Sequence, residues 1–231
     1  GKKTGSRNRA DSCWVRPSHL RQISLEYRYR FENTIHTKNA ELQLETQERN
    51  QSILKQPEGH RMNIIRHRRN THEELAEIST DHGAEIDIRS QGDSLVLHHE
   101  PYEVGTSFED WLENYHHGTL ILNVKEEGLE DQCLKLMAKH GIEDFFFLDQ
   151  SFPFLVKTAK TGESRCAVRV SEFENIYSAV TLAGKVQWVW VDCFTKFPLD
   201  QSSATLLKEN GFKLCIVSPE LQGRMEISDT N

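Results

Sequence analysis

The sequence has no long hydrophobic run, since none of its apolar stretches approaches the ~20 residues that span a membrane. Its first segment, GKKTGSRNRADSCW, is basic and lacks the apolar core of a secretory signal. Both features argue against a membrane-spanning helix and against a signal peptide. The first residue is not methionine and the last stretch, MEISDTN, has no evident closing element, which suggests a fragment.

Cysteines are few and show no pairing pattern. Five are scattered along the chain, and no two have CxxC spacing: Cys13, Cys133, Cys166, Cys193 and Cys215. An odd, scattered set argues against a disulfide framework and against a structural zinc site. We therefore predict a cytoplasmic protein.

Excess positive charge is confined to the first part of the chain. Residues 1–61 contain twelve Lys and Arg against seven Asp and Glu, a net of +5, which leaves −12 for residues 62–231. An acidic segment is a poor ligand for a nucleic-acid backbone, so we expect no nucleic-acid partner for residues 62–231. We interpret the polar residues 1–61 as a solvated N-terminal extension or the remnant of an upstream domain.

From Met62 onward, short apolar runs alternate with amphipathic stretches. The pattern predicts strands at Asn63–His67, Ala84–Arg89, Leu95–His99, Leu120–Lys125, Phe145–Asp149, Ala167–Val170, Val186–Asp192 and Leu214–Ser218. It predicts helices at Thr71–Thr80, Ser107–Tyr115, Leu129–His140, Phe154–Lys160, Glu174–Ala183 and Gln201–Asn210. Thr71 with Glu74 is typical of a capping box, and Gly141 of a left-handed helix end. This alternation favours an α/β fold, a TIM (β/α) barrel over residues 62–231.

Polar strand ends also favour the barrel, because barrel active sites are built from the loops that follow the C-terminal strand ends. Almost every predicted strand ends in such groups: His67-Arg68, Asp87, His99-Glu100, Asn123-Lys125, Asp149-Gln150, Arg169, Asp192 and Ser218. The segment is short beside the ~250 residues of a typical barrel. When Leu95–His99 is counted as an extension of the second unit, seven units remain. We therefore expect a truncation near the last strand, after Arg224.

Several of these polar groups lie within residues 64–101. Alternate strand residues face the same side, so Glu85 and Asp87 project together. Two carboxylates on one buried face repel each other unless a proton or a cation lies between them. A divalent ion there, flanked by His67 and His99, would form a phosphoryl-transfer site.

The segments HRRNT, EIDIR, LNVKEEG, LDQSFP and VSPELQGR together resemble a bacterial branch of the glycerophosphodiester phosphodiesterase family. That family of phospholipase C-like TIM barrels has His-Arg after its first strand, Glu-x-Asp on the second, and then a His-Asp pair. The resemblance covers about residues 62–224. It implies a barrel fold and a divalent metal, Mg²⁺ or Ca²⁺, bound by Glu85, Asp87 and Asn123.

The resemblance also implies roles for the residues around that metal. His67 and His99 would act as general acid and base, since imidazole titrates near neutral pH. Arg68 and Lys125 would neutralise the phosphate oxygens. Three further residues are assigned to substrate binding by strand-end position alone: Asp149, Arg169 and Asp192.

Three positions depart from the family pattern. Arg69 stands where glycine is usual, Glu100 replaces an aspartate, and Asn123 replaces a common carboxylate ligand. The exchange at Asn123 removes one negative charge and is expected to weaken metal binding. Asp149 or Asp192 could supply the missing carboxylate.

These features predict a metal-dependent phosphoric diester hydrolase that cleaves a small glycerophosphodiester-like substrate in lipid metabolism. Water and a hydroxyl of the substrate are both possible nucleophiles, and the second would give a cyclic phosphate. The alternative, favoured by Asn123, is a catalytically weak or inactive barrel that binds a phosphate-containing ligand, accessory to surface-polysaccharide or lipid metabolism. A sugar-phosphate isomerase or aldolase is disfavoured because no glycine-rich phosphate loop occurs near the end of the chain.

Overall fold

The computed structural model describes residues 62–218 and residue 221. The predicted N-terminal extension, 1–61, and the predicted truncation after Arg224 both lie outside the described residues. No helix in the described part of the chain combines the length and the apolar character needed to cross a membrane.

Nine strands lie within the described residues, and seven of them pair in parallel. They are β1 (Ile65–Arg66), β2 (Gly83–Gln91), β3 (Ser94–Leu97), β4 (Thr106–Ser107), β5 (Leu120–Val124), β6 (Phe145–Leu148), β7 (Ala167–Val170), β8 (Trp188–Val191) and β9 (Lys213–Ile216). The parallel order is β1-β2-β5-β6, then β7-β8-β9, and one parallel bridge between Phe147 and Cys166 connects the two groups. The α/β fold with a parallel sheet is thus confirmed.

Strands β3 and β4 form an antiparallel arm beside β2. The chain reverses after Gln91 through Gly92, whose φ of 61° lies in the left-handed region that glycine adopts without strain. Leu97 then pairs with Ile88 on one side and with Thr106 on the other. The prediction that this segment extends the second unit is confirmed. Because β3 runs antiparallel to β2, the residues after it return to the middle of β2, where the His98 N–H donates to the Asp87 carbonyl at 3.0 Å.

Six helices lie among the described residues, between the parallel strands. They are α1 (His72–Ala76), α2 (Phe108–Leu112), α3 (Glu130–His140), α4 (Phe152–Lys160), α5 (Ile176–Val180) and α6 (Gln201–Glu209). The capping box of Thr71 and Glu74 is confirmed, as is the left-handed end at Gly141, where φ is 66°. Each predicted helix is present, although some of the predicted bounds were wrong.

The helix bounds differ for local reasons. Helix α1 ends at Ala76 because Ser79 bonds its own backbone neighbours, a competitor to helix continuation. Helix α4 begins before its predicted start, since Pro153 is tolerated in a first turn where no intrahelical donor is needed. Helix α5 begins after Asn175, whose side chain accepts a hydrogen bond from the Tyr177 N–H.

The two faces of the parallel strands have different partners. One face packs on the helices and forms the larger core, to which β2 contributes Ala84, Ile86 and Ile88. The opposite face encloses a smaller core of Ile121, Phe146, Leu148, Ala167, Trp190 and Val217. Burying each large side chain stabilises the fold by roughly 1.5–3 kcal/mol. Above this inner core the inward positions become polar, and the candidate site lies there.

The inner core shows that the parallel strands curve around a common interior. Ile65 of β1 and Cys215 of β9 both pack against it, although these strands lie at opposite ends of the parallel order. Among the described residues, β1 pairs only with β2 and β9 only with β8. The described strands therefore do not close into a hydrogen-bonded ring.

Candidate active site

The candidate site lies at the carboxyl ends of the parallel strands, on their inner face. Seven of the inward positions are polar and come from five strands or the loops just after them: His67, Glu85, Asp87, Asn123, Lys125, Arg169 and Asp192. The alternation of β2 turns both acidic side chains inward, and the parallel register sets Asn123 directly beside Asp87. The structure therefore brings together residues that are far apart in sequence.

Glu85 is almost completely buried, with 2 % of its surface exposed. Its Oε1 accepts a hydrogen bond from Asn123 Nδ2 at 2.7 Å, and its Oε2 accepts one from the Arg68 backbone N–H at 2.8 Å. Burial, and then the charge of Asp87, raise the pKa of Glu85 to about 7, against the lowering effect of those two hydrogen bonds. Glu85 can thus exchange a proton near neutral pH.

Asp87 has no exposed surface but is held by donors on both sides. Asn70 donates from Nδ2 to Asp87 Oδ2 at 2.9 Å and accepts from the Asp87 N–H at 2.8 Å. The ammonium nitrogen of Lys125 lies 3.0 Å from Oδ1. Burial raises the pKa of Asp87, but Asn70 and Lys125 outweigh it and hold that pKa below its usual range. Asp87 is therefore a carboxylate while its neighbour Glu85 titrates.

Asn70 was missed at the sequence level. Its amide makes a reciprocal pair with Asp87, and its backbone N–H donates to Glu74 Oε2 at 2.8 Å, next to the N-terminus of α1. An Asn directly before a capping Thr is the signal that could have identified it, because such side chains often satisfy local backbone groups. Asn70 thus links the start of α1 to the buried carboxylate.

The loop after β1 has an unusual backbone at Arg68. The φ of Arg68 is 53°, a left-handed conformation uncommon outside glycine. This turn directs the Arg68 N–H at the Glu85 side chain and the Arg69 N–H at the Glu85 carbonyl, 2.8 Å away. The Arg69 side chain lies 3.6 Å from Glu77, on α1's C-cap rather than on the inner carboxylates. The left-handed turn thus provides two backbone N–H donors to Glu85, one to its side chain and one to its carbonyl.

Both predicted histidines lie beside the carboxylates. His67 Nε2 is 3.8 Å from Glu85 Oε2, and His99 Nε2 is 2.6 Å from Arg68 Nη2. Burial, and then the charge of Arg68, lower the pKa of His67, and His99 contributes in the same direction from nearby. Glu100 contacts His99 Nδ1 at 2.6 Å and so orients the ring. The two imidazoles therefore belong to one cluster.

The predicted substrate residues form a second group of charges next to Lys125. Arg169 contacts Asp149 and donates from Nη1 to Asp192 Oδ2 at 2.9 Å. Asp149, whose φ of 62° is again left-handed, lies 3.7 Å from the Lys125 ammonium nitrogen. Glu174, also missed from the sequence, lies 3.9 Å from Arg169 Nε. The three predicted residues thus bind one another.

A cavity of about 570 Å³ opens beside this second group. It lies between the loops that follow β6 and β7 and is lined by charged, polar and aromatic side chains, including Asp149, Gln150, Phe152, Arg169, Phe173 and Glu174. Its volume suits a small organic ligand. The cavity borders the predicted site through Asp149 and Arg169.

The donor set does not match that of a hard divalent ion as it is arranged. Within residues 62–218 and residue 221, no group of three or more His, Cys, Asp and Glu side chains is placed to hold a metal. Asn123 turns its amide nitrogen to Glu85, and Lys125 occupies the side of Asp87 that a cation would take. The Oδ1 atom of Asn123 is buried without a hydrogen-bond partner among the described residues. The predicted Mg²⁺ or Ca²⁺ stays a prediction from the sequence.

Comparisons with known proteins support the fold. No protein-family model matches the sequence, and no curated protein matches it. The structure is similar to that of a glycerophosphoryl diester phosphodiesterase from Agrobacterium tumefaciens, with a TM-score of 0.52 and 12 % identity over 67 % of this chain and 84 % of the other. A second glycerophosphodiester phosphodiesterase of that organism has a TM-score of 0.46 and 12 % identity over 67 % of this chain and 85 % of its own. The chain thus has a fold like that of glycerophosphodiester phosphodiesterases.

Proposed function

We propose that this chain hydrolyses a phosphodiester, with His67 and His99 moving protons while Arg68 and Lys125 hold the phosphate. The observation that carries the proposal is the convergence of two imidazoles and two cations on a pair of buried carboxylates. The similarity in fold to a glycerophosphoryl diester phosphodiesterase supports a substrate with a small alcohol on its phosphate. A setting in lipid metabolism and in the cytoplasm stays a prediction.

The proposal includes a (β/α) barrel as scaffold. Contacts of both β1 and β9 with one inner core support a barrel-like curvature. In such barrels the site lies at the carboxyl ends of the strands. The polar inward positions occur at that end, above the apolar core.

His67 is the proton acceptor in this scheme, because its lowered pKa keeps the imidazole neutral near pH 7. It takes a proton from the nucleophilic oxygen, which attacks phosphorus. When Arg68 turns from His99 Nε2 to the phosphate, that nitrogen takes up a proton from solvent. It then gives the proton to the departing alkoxide as the phosphorus–oxygen bond breaks, while Glu100 fixes the ring through Nδ1. Water as nucleophile yields a phosphomonoester and an alcohol, while a substrate hydroxyl yields a cyclic phosphate and an alcohol.

The test is hydrolysis of a panel of glycerophosphodiesters by the wild type and by His67→Ala and His99→Ala variants, with alcohol release measured. Each imidazole is expected to contribute a factor of roughly 10²–10⁴ to kcat. His116→Ala is the matched control, since His116 is exposed beyond the end of α2. Turnover by the wild type that both site variants retain would contradict the assignment.

A second candidate is a barrel that binds a phosphate-containing ligand without turning it over, accessory to surface-polysaccharide or lipid metabolism. The uncharged Asn123 beside Glu85 is the observation that favours it. Saturable binding of a glycerophosphodiester in calorimetry, together with no product from any substrate in the panel, would select this candidate over hydrolysis.

A further inference from the structure

Three of the four oxygens of the two buried carboxylates accept a hydrogen bond, and the fourth, Asp87 Oδ1, has no hydrogen-bond partner among the described residues but forms an ion pair with Lys125. Glu85 Oε1 and Oε2 accept from Asn123 Nδ2 and the Arg68 N–H, at 2.7 Å and 2.8 Å. Asp87 Oδ2 accepts from Asn70 at 2.9 Å, and Asp87 Oδ1 lies 3.0 Å from Lys125 Nζ. A divalent ion entering between these carboxylates would displace Lys125 or compete with neutral donors that are already in contact.

The charges at this position are also balanced. Two carboxylates, Glu85 and Asp87, face two permanent cations, Arg68 with its Nε 4.0 Å from Asp87 and Lys125 at 3.0 Å. Asn123, the third polar neighbour, carries no charge. These four side chains therefore carry no net negative charge with which to attract a dication, because Coulomb attraction requires an uncompensated charge.

Lys125 is fixed in place from a second direction. Its ammonium nitrogen also lies 3.7 Å from Asp149, which contacts Arg169, and Arg169 bonds Asp192 at 2.9 Å. Lys125 is only 16 % exposed, so its charge is poorly screened by solvent. The Lys125 ammonium group is thus held by Asp87 and by Asp149. It lies next to Asp87, where a metal ion bound by that carboxylate would also lie.

We infer that Lys125 is the resident cation of this site and that the wild-type chain binds no divalent metal there. Resting on the proposed function, this means that the Lys125 ammonium, aided by Arg68, compensates the phosphate oxygens and that turnover needs no added metal. Asn123 is the residue that excludes the metal, because a carboxylate at that position would give the set an uncompensated negative charge.

Calorimetric titration with MgCl₂ and with CaCl₂ tests the inference on the full chain, freed of metal beforehand with chelator. Wild type is expected to give no saturable heat. Asn123→Asp adds one negative charge and Lys125→Met removes one positive charge, so each is expected to bind at least about tenfold more tightly than wild type. Asn63→Asp and Lys135→Met make the same charge changes at exposed positions and are expected to behave as wild type.

Saturable binding of either ion to wild type would overturn the inference. Thermal unfolding of each variant identifies one that fails to fold, and the wild-type titration decides the question even then. A second readout is turnover in excess EDTA, which wild type is expected to retain; loss in EDTA with recovery in Mg²⁺ would also overturn it. If no substrate is turned over, the proposed function fails while the titrations still decide whether Lys125 replaces a metal.

Discussion

The site has two halves that differ in burial and in chemistry. The first half, on β1, β2 and β5, holds two carboxylates with at most 2 % exposure, each contacted by neutral or cationic donors, and both imidazoles. The second half, on β6, β7 and β8, holds Arg169 between acidic side chains, and it borders the cavity of about 570 Å³. The raised pKa of Glu85, about 7, and the lowered pKa of His67 both belong to the first half. The comparison teaches that the proposed function would place proton transfer in the first half and contacts with the rest of the ligand in the second, with Lys125 in contact with both halves.

Asp87→Asn is expected to have the largest effect on stability and on kcat in the first half of the site. It removes the main counter-charge of Lys125, and the loss of one partner from a buried pair costs about 3 kcal/mol or more in free energy of unfolding. We also expect kcat to fall at least about 100-fold, since Lys125 is no longer fixed. Denaturant unfolding and steady-state kinetics measure both effects. Asp93→Asn, in the exposed turn before β3, is the control, and equal stability of both variants would contradict this role of Asp87.

Asn70→Ala tests the uncharged hydrogen-bond partner of Asp87 in the same half. The change removes one donor and one acceptor from Asp87, and an unsatisfied buried group costs about 1–3 kcal/mol. The loss of the Asn70 donor also raises the pKa of Asp87 towards its unfolded value, which reduces the stability that this carboxylate contributes above the unfolded pKa. The less stable variant is therefore expected to unfold at a higher pH than wild type as the solution is acidified. Acid unfolding followed by circular dichroism measures the shift. An acid transition that coincides with that of wild type would contradict the prediction, and Asn63→Ala is the control.

Arg169→Met tests the second half. Loss of its bonds to Asp149 and Asp192 is expected to raise KM about tenfold through disordered ligand contacts and to change kcat little. Stability changes by about 0–1 kcal/mol because the pairs are partly exposed. A kcat loss as large as that of His67→Ala, with KM unchanged, would contradict the assignment of ligand binding to the second half. Lys208→Met, on exposed α6 surface, controls for the lost charge.

Glu85→Gln gives the sharpest pH signature. The folded pKa of about 7 exceeds the unfolded value near 4.5, so the folded state retains a proton that the unfolded chain has lost. The stability contributed by Glu85 is fully present below pH 4.5 and declines as pH rises through about 7. The stability of wild type relative to the variant therefore falls with a slope of at most about 1.4 kcal/mol per pH unit. Urea unfolding across this range checks it, with Glu103→Gln as control; a constant difference would contradict the raised pKa.

The sequence predicts the scaffold well where the pattern is repetitive. All eight predicted strands overlap observed ones, because continuous apolar runs of four or five residues have no stable alternative to a buried strand. The shared face of Glu85 and Asp87 also follows from strand alternation alone. Of the strands in the described part of the chain, only β4, two residues long and on the arm, has no counterpart among the predictions, since so short a segment has no period to detect.

The site is less predictable because its residues are defined by their partners. The reciprocal bond between Asn70 and Asp87 joins the loop after β1 to the neighbouring strand, and nothing in the periodicity of either segment indicates it. Arg169 ends a strand like a ligand-binding residue, but its contacts with Asp149 and Asp192 depend on how three strands meet. The orientation of the Asn123 amide likewise depends on its hydrogen bond to Glu85 of the neighbouring strand.

The antiparallel arm places the two histidines on different kinds of structural element. His67 follows β1, which belongs to the parallel sheet, whereas His99 follows β3, which belongs to an appended hairpin. The hairpin also supplies Leu95 and Leu97 to the larger core. A change of its length would therefore move the second imidazole and disturb the packing beneath β2 at the same time.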